Sequence, residues 1–304
     1  MSGVLLATHG ATTADGAVRI AALLADRKLT TLNVICVQEP IRVYDGGYEA
    51  LYVPSLEEDE AVRASMRSAV TEQLARCGVR GSVQVRSGIP STTIASAAQE
   101  LGADLIVLGL GRHDLLERVL GNETALQLVQ LANVPVLAVP QEMRLLPHRI
   151  LAATDFSPTS IASVRTTAQW LTRGDVLHLA YVAGEWRGGF PIEQRVSAES
   201  FLGALARQIE PPDGVVVELS VEEGDPAMRL LELAASQEAD MVVMGSHGYG
   251  FWKRLTIGSV ASKVIRLANF AVYVTPIGRL GAQSTLFTPL SASKSEHGVA
   301  ESSG

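Results

Sequence analysis

Displaced by 136 positions, the sequence falls onto itself without a gap from Gly88 to Pro140. Gly88-Ile89-Pro90 meets Gly224-Asp225-Pro226, and Ala103-Asp104 meets Ala239-Asp240. Gly109 meets Gly245, Leu131-Ala132-Asn133 meets Leu267-Ala268-Asn269, and Pro140 meets Pro276. A displacement of 146 aligns the beginnings, with Ala7-Thr8 on Ala153-Thr154 and Val18-Arg19 on Val164-Arg165. The ten-residue difference is assigned to the stretch Glu39 to Glu58, which contains Pro and Gly. Such self-similarity requires one fold used twice. The units are 1–140 and 147–278, joined by the segment PQEMRLLPH. Residues 279–304 are rich in Ser, Gly and Ala, carry no helical or strand period, and are expected to be a disordered tail.

Within each unit short apolar strands alternate with helical patterns. In the second copy HRILAAT, DVLHLAYV, GVVVELSV, DMVVMG and AVYVTP read as strands. Helices are expected over Ser160–Leu171, Val196–Ile209, Pro226–Ser236 and Gly258–Leu267. Asp225-Pro226 is a good helix start, with a side-chain cap followed by a proline. Apolar strands separated by helices imply a parallel sheet covered on both faces. The expected fold class is therefore α/β, two tandem Rossmann-like domains of five parallel strands each. Ligands of such sheets sit at the carboxyl ends of the strands, where the strand order switches.

The composition narrows the function classes. A hydrophobic fraction of 47% over 304 residues suits two domains with real cores. A net charge of −7 argues against a broad nucleic-acid surface. The start MSGVLLATHG lacks a basic leader and cleavage pattern, and no apolar run reaches the length of a membrane span. A cytoplasmic location is expected. Cys36 lies in a core-strand pattern and Cys77 precedes a helix-ending Gly78, without CxxC spacing, so reduced thiols are expected. The histidines do not gather into ligand spacing, and no GxSxG elbow supports a nucleophilic triad. No catalytic residue is assigned.

The chemistry concentrates after the strand DMVVM. Gly245 and Gly248 are two residues apart, Gly258 follows after nine more, and Ser259 opens a helix. Glycines let the main chain approach an anion. The free amides and dipole of a helix start favour phosphate. Ser259 adds a hydroxyl, and Lys253, Arg254 and His247 lie within the loop. Neither the Walker loop nor the dinucleotide GxGxxG is present. The plain alternative is that these glycines are strand-to-helix punctuation, and that Asp155, two residues before Ser157-Pro158, is a helix cap.

The spacing G-x2-G-x9-G-[S/T], with ILAATDFSPTS at the first strand and GSVASKVIRLANFAVYVTP at the end, resembles the ATP-binding signature of the universal stress protein family. The likeness covers nearly all of both copies. It implies an adenine nucleotide alpha hydrolase-like fold and ATP, with a divalent metal such as Mg, as ligand. It implies that Asp155 holds the adenosine part and that main chain at Tyr181 or Val182 meets adenine. Gly245, Gly248, Gly258 and Ser259 would hold the phosphates. It further implies pairing of the two halves through the last strands, PVLAVP and AVYVTP, a regulatory or stress-response role, and at most slow hydrolysis. A further homodimer and an unidentified protein partner are compatible with it. The rival readings are a scaffold of the same fold that binds no nucleotide, and an ATP-using enzyme.

Copy one departs from the signature. In the same register Arg112 stands for Gly248, Asn122 for Gly258 with Gly121 beside it, Glu123 for Ser259 and His9 for Asp155. A Glu at a first helical turn caps a helix but repels phosphate. Copy one is expected not to bind ATP in this way, with Arg112, His113 and Arg118 read as surface charge.

Overall fold

The computed structural model describes residues 3–40, 42–45, 48–51, 54–111, 115–186, 189–246 and 257–277. The tail 279–304 lies outside them. Copy one runs β1 (Gly3–Ala7), α1 (Asp15–Arg27), β2 (Leu32–Gln38), β3 (Arg42–Asp45), β4 (Tyr48–Leu51), α2 (Leu56–Arg76), β5 (Ser82–Ser87), α3 (Pro90–Glu100), β6 (Ala103–Gly109), α4 (Leu115–Leu131) and β7 (Val136–Val139). Copy two runs β8 (Arg149–Ala153), α5 (Pro158–Ala168), β9 (Val176–Ala183), α6 (Ile192–Ile209), β10 (Val216–Glu223), α7 (Pro226–Ser236), β11 (Met241–Gly245), α8 (Ser259–Leu267) and β12 (Ala271–Thr275).

The two five-stranded parallel sheets are one sheet. Its order is β10-β9-β8-β11-β12-β7-β6-β1-β2-β5. Every ladder is parallel except β12 against β7, where Val272, Tyr273 and Val274 face Ala138, Leu137 and Val136. The last strands of the two copies thus join them, as the resemblance implied. Strands buried on both faces explain the unbroken apolar runs. One core layer gathers Val18 of α1, Val70 of α2, Val164 of α5 and Leu202 of α6. The other gathers Ile94 of α3, Leu128 of α4, Leu230 of α7 and Val264 of α8. Each layer runs across both copies.

The junction is locked from three sides. Tyr273 is 1% exposed, and its ring meets Trp170 edge-on at 5.3 Å. Arg27 at the end of α1 donates to the carbonyls of Trp170 and Leu171, just past the end of α5. Arg266 of α8 pairs with Glu123 of α4 at 3.3 Å. Gly16 leaves room for the interdomain segment, since a Cβ there would collide with the Pro140 carbonyl.

The ten extra residues of copy one are not all loop. They include the antiparallel hairpin β3-β4, in which Asp45 faces Tyr48 across the Gly46-Gly47 pair of the sequence. Gly-Gly between two short runs is a hairpin signal, and the sequence reading passed over it. Ser55 then starts α2 with a reciprocal capping box to Glu58.

His178 of β9 is buried, with Nε2 2.8 Å from Ser220 Oγ and Nδ1 3.4 Å from Glu218. Burial holds its imidazole below the ordinary value, against the pull of Glu218 and Glu222. The unfolded chain regains a value of about 6.5. This contribution to stability is therefore present above that pH and is lost as pH falls below it. Urea unfolding at pH 7.5 and 5.5 should show a drop on acidification that is smaller in His178→Gln. At the junction, Tyr273→Ala should cost about 3–5 kcal/mol in the same assay.

Candidate functional site

A cleft of about 170 Å³ opens at the carboxyl ends of β8, β9 and β11, between the starts of α7 and α8. The strand order changes direction here, because β9 and β11 flank β8 on opposite sides. Asp155, Val182 and Gly245 all line it, together with Thr154, Leu230, Met244 and Val260. The last four were missed in the sequence. Alternation along the strands would have found Met244, since it shares a face with Val242.

Asp155 supports the turn before α5 without being its cap. Its carboxylate accepts the Ser157 amide at 3.1 Å, and Ser157 in turn caps α5 by accepting from Ser160. It also forms part of the cleft wall. The next residue, Phe156, has φ +62, where copy one has Gly10 at φ +93. A non-glycine residue in this region costs about 1–2 kcal/mol. Burial of Phe156 offsets that cost, with its ring stacked on Tyr181 at 5.2 Å and tilted against Phe201 at 5.4 Å. Thr154 secures the turn by accepting the Phe156 amide at 2.9 Å.

Tyr181 and Val182 therefore separate. The Tyr181 ring packs into the layer of α5 and α6, whereas Val182 faces the cleft. Burial and the nearby Asp155 carboxylate push the Tyr181 phenol up.

The glycines also separate. At Gly245 a Cβ would stand 2.5 Å from Thr159 Oγ1 and 3.0 Å from the Ser160 nitrogen. At Gly109 it would stand 3.1 Å from Ala14. Both copies keep this glycine because a helix start packs against the strand end, a requirement that needs no anion. Gly258 is the N-cap of α8, and no side chain caps that helix. Its amide donates to the Ser246 carbonyl at 2.8 Å and closes the base of the loop. Ser259 is the exposed first residue of α8, while Val260 and Ala261 reach the cleft. A helix start without a side-chain cap leaves backbone donors for a ligand. Gly248, with His247, Lys253 and Arg254, lies outside the described residues. Lys263 of α8 pairs at 3.1 Å with Asp225, whose side chain caps α7 through the Met228 amide. That amide and Lys263 hold the Asp225 carboxyl below its usual range.

Copy one corrects the expectation made for Glu123. Its helix begins at Leu115 and not at Glu123. The residues that match the end of the glycine loop are two further turns of helix, so Glu123 sits within α4 and does not cap it. Its carboxylate meets Arg266 across the junction at 3.3 Å. The segment LLERVLGN contains several good helix formers, consistent with helix running through it. In this register α4 is already helical at the positions that precede α8, which is described from Ser259. Arg112 and His113 lie outside the described residues.

Because Gly245 answers to packing, Gly245→Ala should destabilise the protein by about 1–3 kcal/mol in ligand-free thermal or urea unfolding. A neutral result would return the glycine to a purely ligand-facing role.

A model of the universal stress protein family matches residues 1–140 and again 147–276. A universal stress protein of Mycolicibacterium smegmatis is 28% identical over 295 residues, covering 90% of this chain and 96% of its own. One from Mycobacterium tuberculosis is 28% identical over 306 residues, covering 90% and 95%. The crystal structure of a universal stress protein from Archaeoglobus fulgidus matches with a TM-score of 0.62 at 21% identity, covering 90% and 96%. A putative universal stress protein from Pseudomonas aeruginosa matches at 0.63 and 17%, covering 91% and 93%. These two structures share the fold of this chain.

Proposed function

This chain belongs to the universal stress protein family, and on that premise we propose that its second copy binds ATP and that occupancy serves as a regulatory signal in a stress response. The supporting observation is the cleft at the strand switch of copy two, with the uncapped start of α8 at its edge. In this reading Asp155 holds the ribose, and main chain at Val182 meets the adenine edge. Val182, Leu230 and Met244 provide the apolar bed for the ring. The phosphates run toward Gly258 and Ser259, with Gly248 completing the loop. Gly245 contributes by letting α5 close on the cleft floor.

The nucleotide brings its own divalent ion. Among the described residues no three carboxylate, imidazole or thiol groups converge on a metal position. The donors that fit are the phosphates themselves and the Ser259 hydroxyl. Hydrolysis in this reading is slow, and the protein acts as a binder and not as a catalyst. No described helix is long and apolar enough to cross a membrane. Action in the cytoplasm, where Cys36 and Cys77 stay reduced, belongs to the same proposal.

Nucleotide analysis of the purified chain and calorimetric titration with Mg·ATP test it. One ATP per chain is expected. Ser259→Glu should weaken binding at least tenfold by placing like charge at the helix start. Gly248→Ala should weaken it as well. Unchanged affinity in both variants would move the site elsewhere, and a wild-type chain that takes no nucleotide would favour the scaffold reading. A turnover assay separates a binder from an ATP-using enzyme.

A further inference from the structure

Copy one retains a cleft at the position equivalent to that of copy two, of about 200 Å³ against 170 Å³. The walls correspond residue by residue. Ala7, Thr8, Pro90, Leu108 and Gly109 stand where copy two has Ala153, Thr154, Pro226, Met244 and Gly245. The ladders fix the remaining register. Ala7 pairs with Ile35 and Ala153 with Ala180, so Val37 corresponds to Val182 and Glu39 to Gly184. Two chemical changes follow. The carboxylate at the end of the first strand becomes His9, and a new carboxylate, Glu39, appears past the end of the second strand. The third change is the continuous helix α4, which replaces an open helix start with backbone already bonded within the helix.

We infer that the cleft of copy one is a second binding site, for a purine nucleoside or free base without phosphates. An apolar bed of Ile35, Val37, Ile94 and Leu108 remains for a flat ring. Its volume is close to that of the copy-two cleft, so the bed has comparable room for a ring. The Glu39 carboxylate accepts from a ring amine or a ribose hydroxyl. The loss of the helix-start donors, where the phosphates would run, disfavours a triphosphate. The inference rests on reading copy two's cleft as a nucleoside pocket, since the walls are shared. One chain would then sense two ligands that differ by their phosphates.

The test titrates the full chain with adenosine by calorimetry, first alone and then in saturating Mg·ATP. One adenosine per chain is expected in the presence of ATP. Thr124→Trp, a rim position of the copy-one cleft on α4, should abolish that binding and leave ATP stoichiometry unchanged. Glu39→Gln should weaken it about tenfold. Circular dichroism and the retained ATP site report that both variants fold. Adenosine binding that ATP removes entirely, or that both variants leave intact, overturns the inference, as does uptake of two ATP per chain. If the chain takes no ATP yet binds adenosine in a Thr124-sensitive way, the proposed function fails and this inference stands. If neither ligand binds, both fail.

Discussion

The antiparallel pairing of β7 with β12 is the contact on which the molecule depends. Each five-stranded sheet on its own would present a flat apolar edge, Val136 to Val139 in one and Ala271 to Thr275 in the other. Such edges invite pairing with other chains. Joining them satisfies both sets of backbone groups and fuses the two core layers. The outer edges that remain are β10 and β5. β10 carries Glu218, Glu222 and Glu223, and β5 carries Arg86, charges that disfavour further strand addition.

The same pairing sets the positions of the two clefts. Because the halves run antiparallel, the carboxyl ends of their strands point in opposite directions. The clefts therefore open at opposite ends of the sheet. The helices α4 and α8, each of which follows the strand that floors its cleft, lie side by side over the junction and are tied by Glu123 and Arg266. The fold separates the sites in space while placing the elements that differ between them in direct contact.

Much of this was legible in the sequence. The repeat and the five strands of each half followed from periodicity and register, the Asp225 cap from helix-start chemistry, and the joining strands from the family resemblance. The family resemblance, and not the pattern itself, pointed to Asp155, Gly245 and one of Tyr181 and Val182, and Asp155, Val182 and Gly245 line one cleft. What escaped has identifiable physical causes. The hairpin β3-β4 was hidden because a gap in an alignment reads as a loop. The start of α4 was misplaced because register alone says which residues correspond and not which conformation they take. Gly245 and Gly109 show a similar limit. A glycine kept for packing against Thr159 or Ala14 and one kept for a phosphate look identical in one dimension. Phe156 escaped because a left-handed aromatic residue is tolerated only when tertiary stacking offsets its strain.

The Glu123–Arg266 pair has no mirror image. Under the same register its counterpart positions are Ser259 and Gln130, which carry no charge. In a homodimer every contact across the axis occurs twice, and a substitution that suits one half burdens the other. Peptide linkage lifts that restriction by holding the halves at an effective concentration on the order of millimolar. The junction no longer has to recognise itself. A foreign half of the same fold that offered two charged or two neutral faces would meet a mismatch at one of the two positions. As an exposed pair the bridge is worth at most about 1 kcal/mol, so the asymmetry adds a small preference for this chain's own halves over foreign ones.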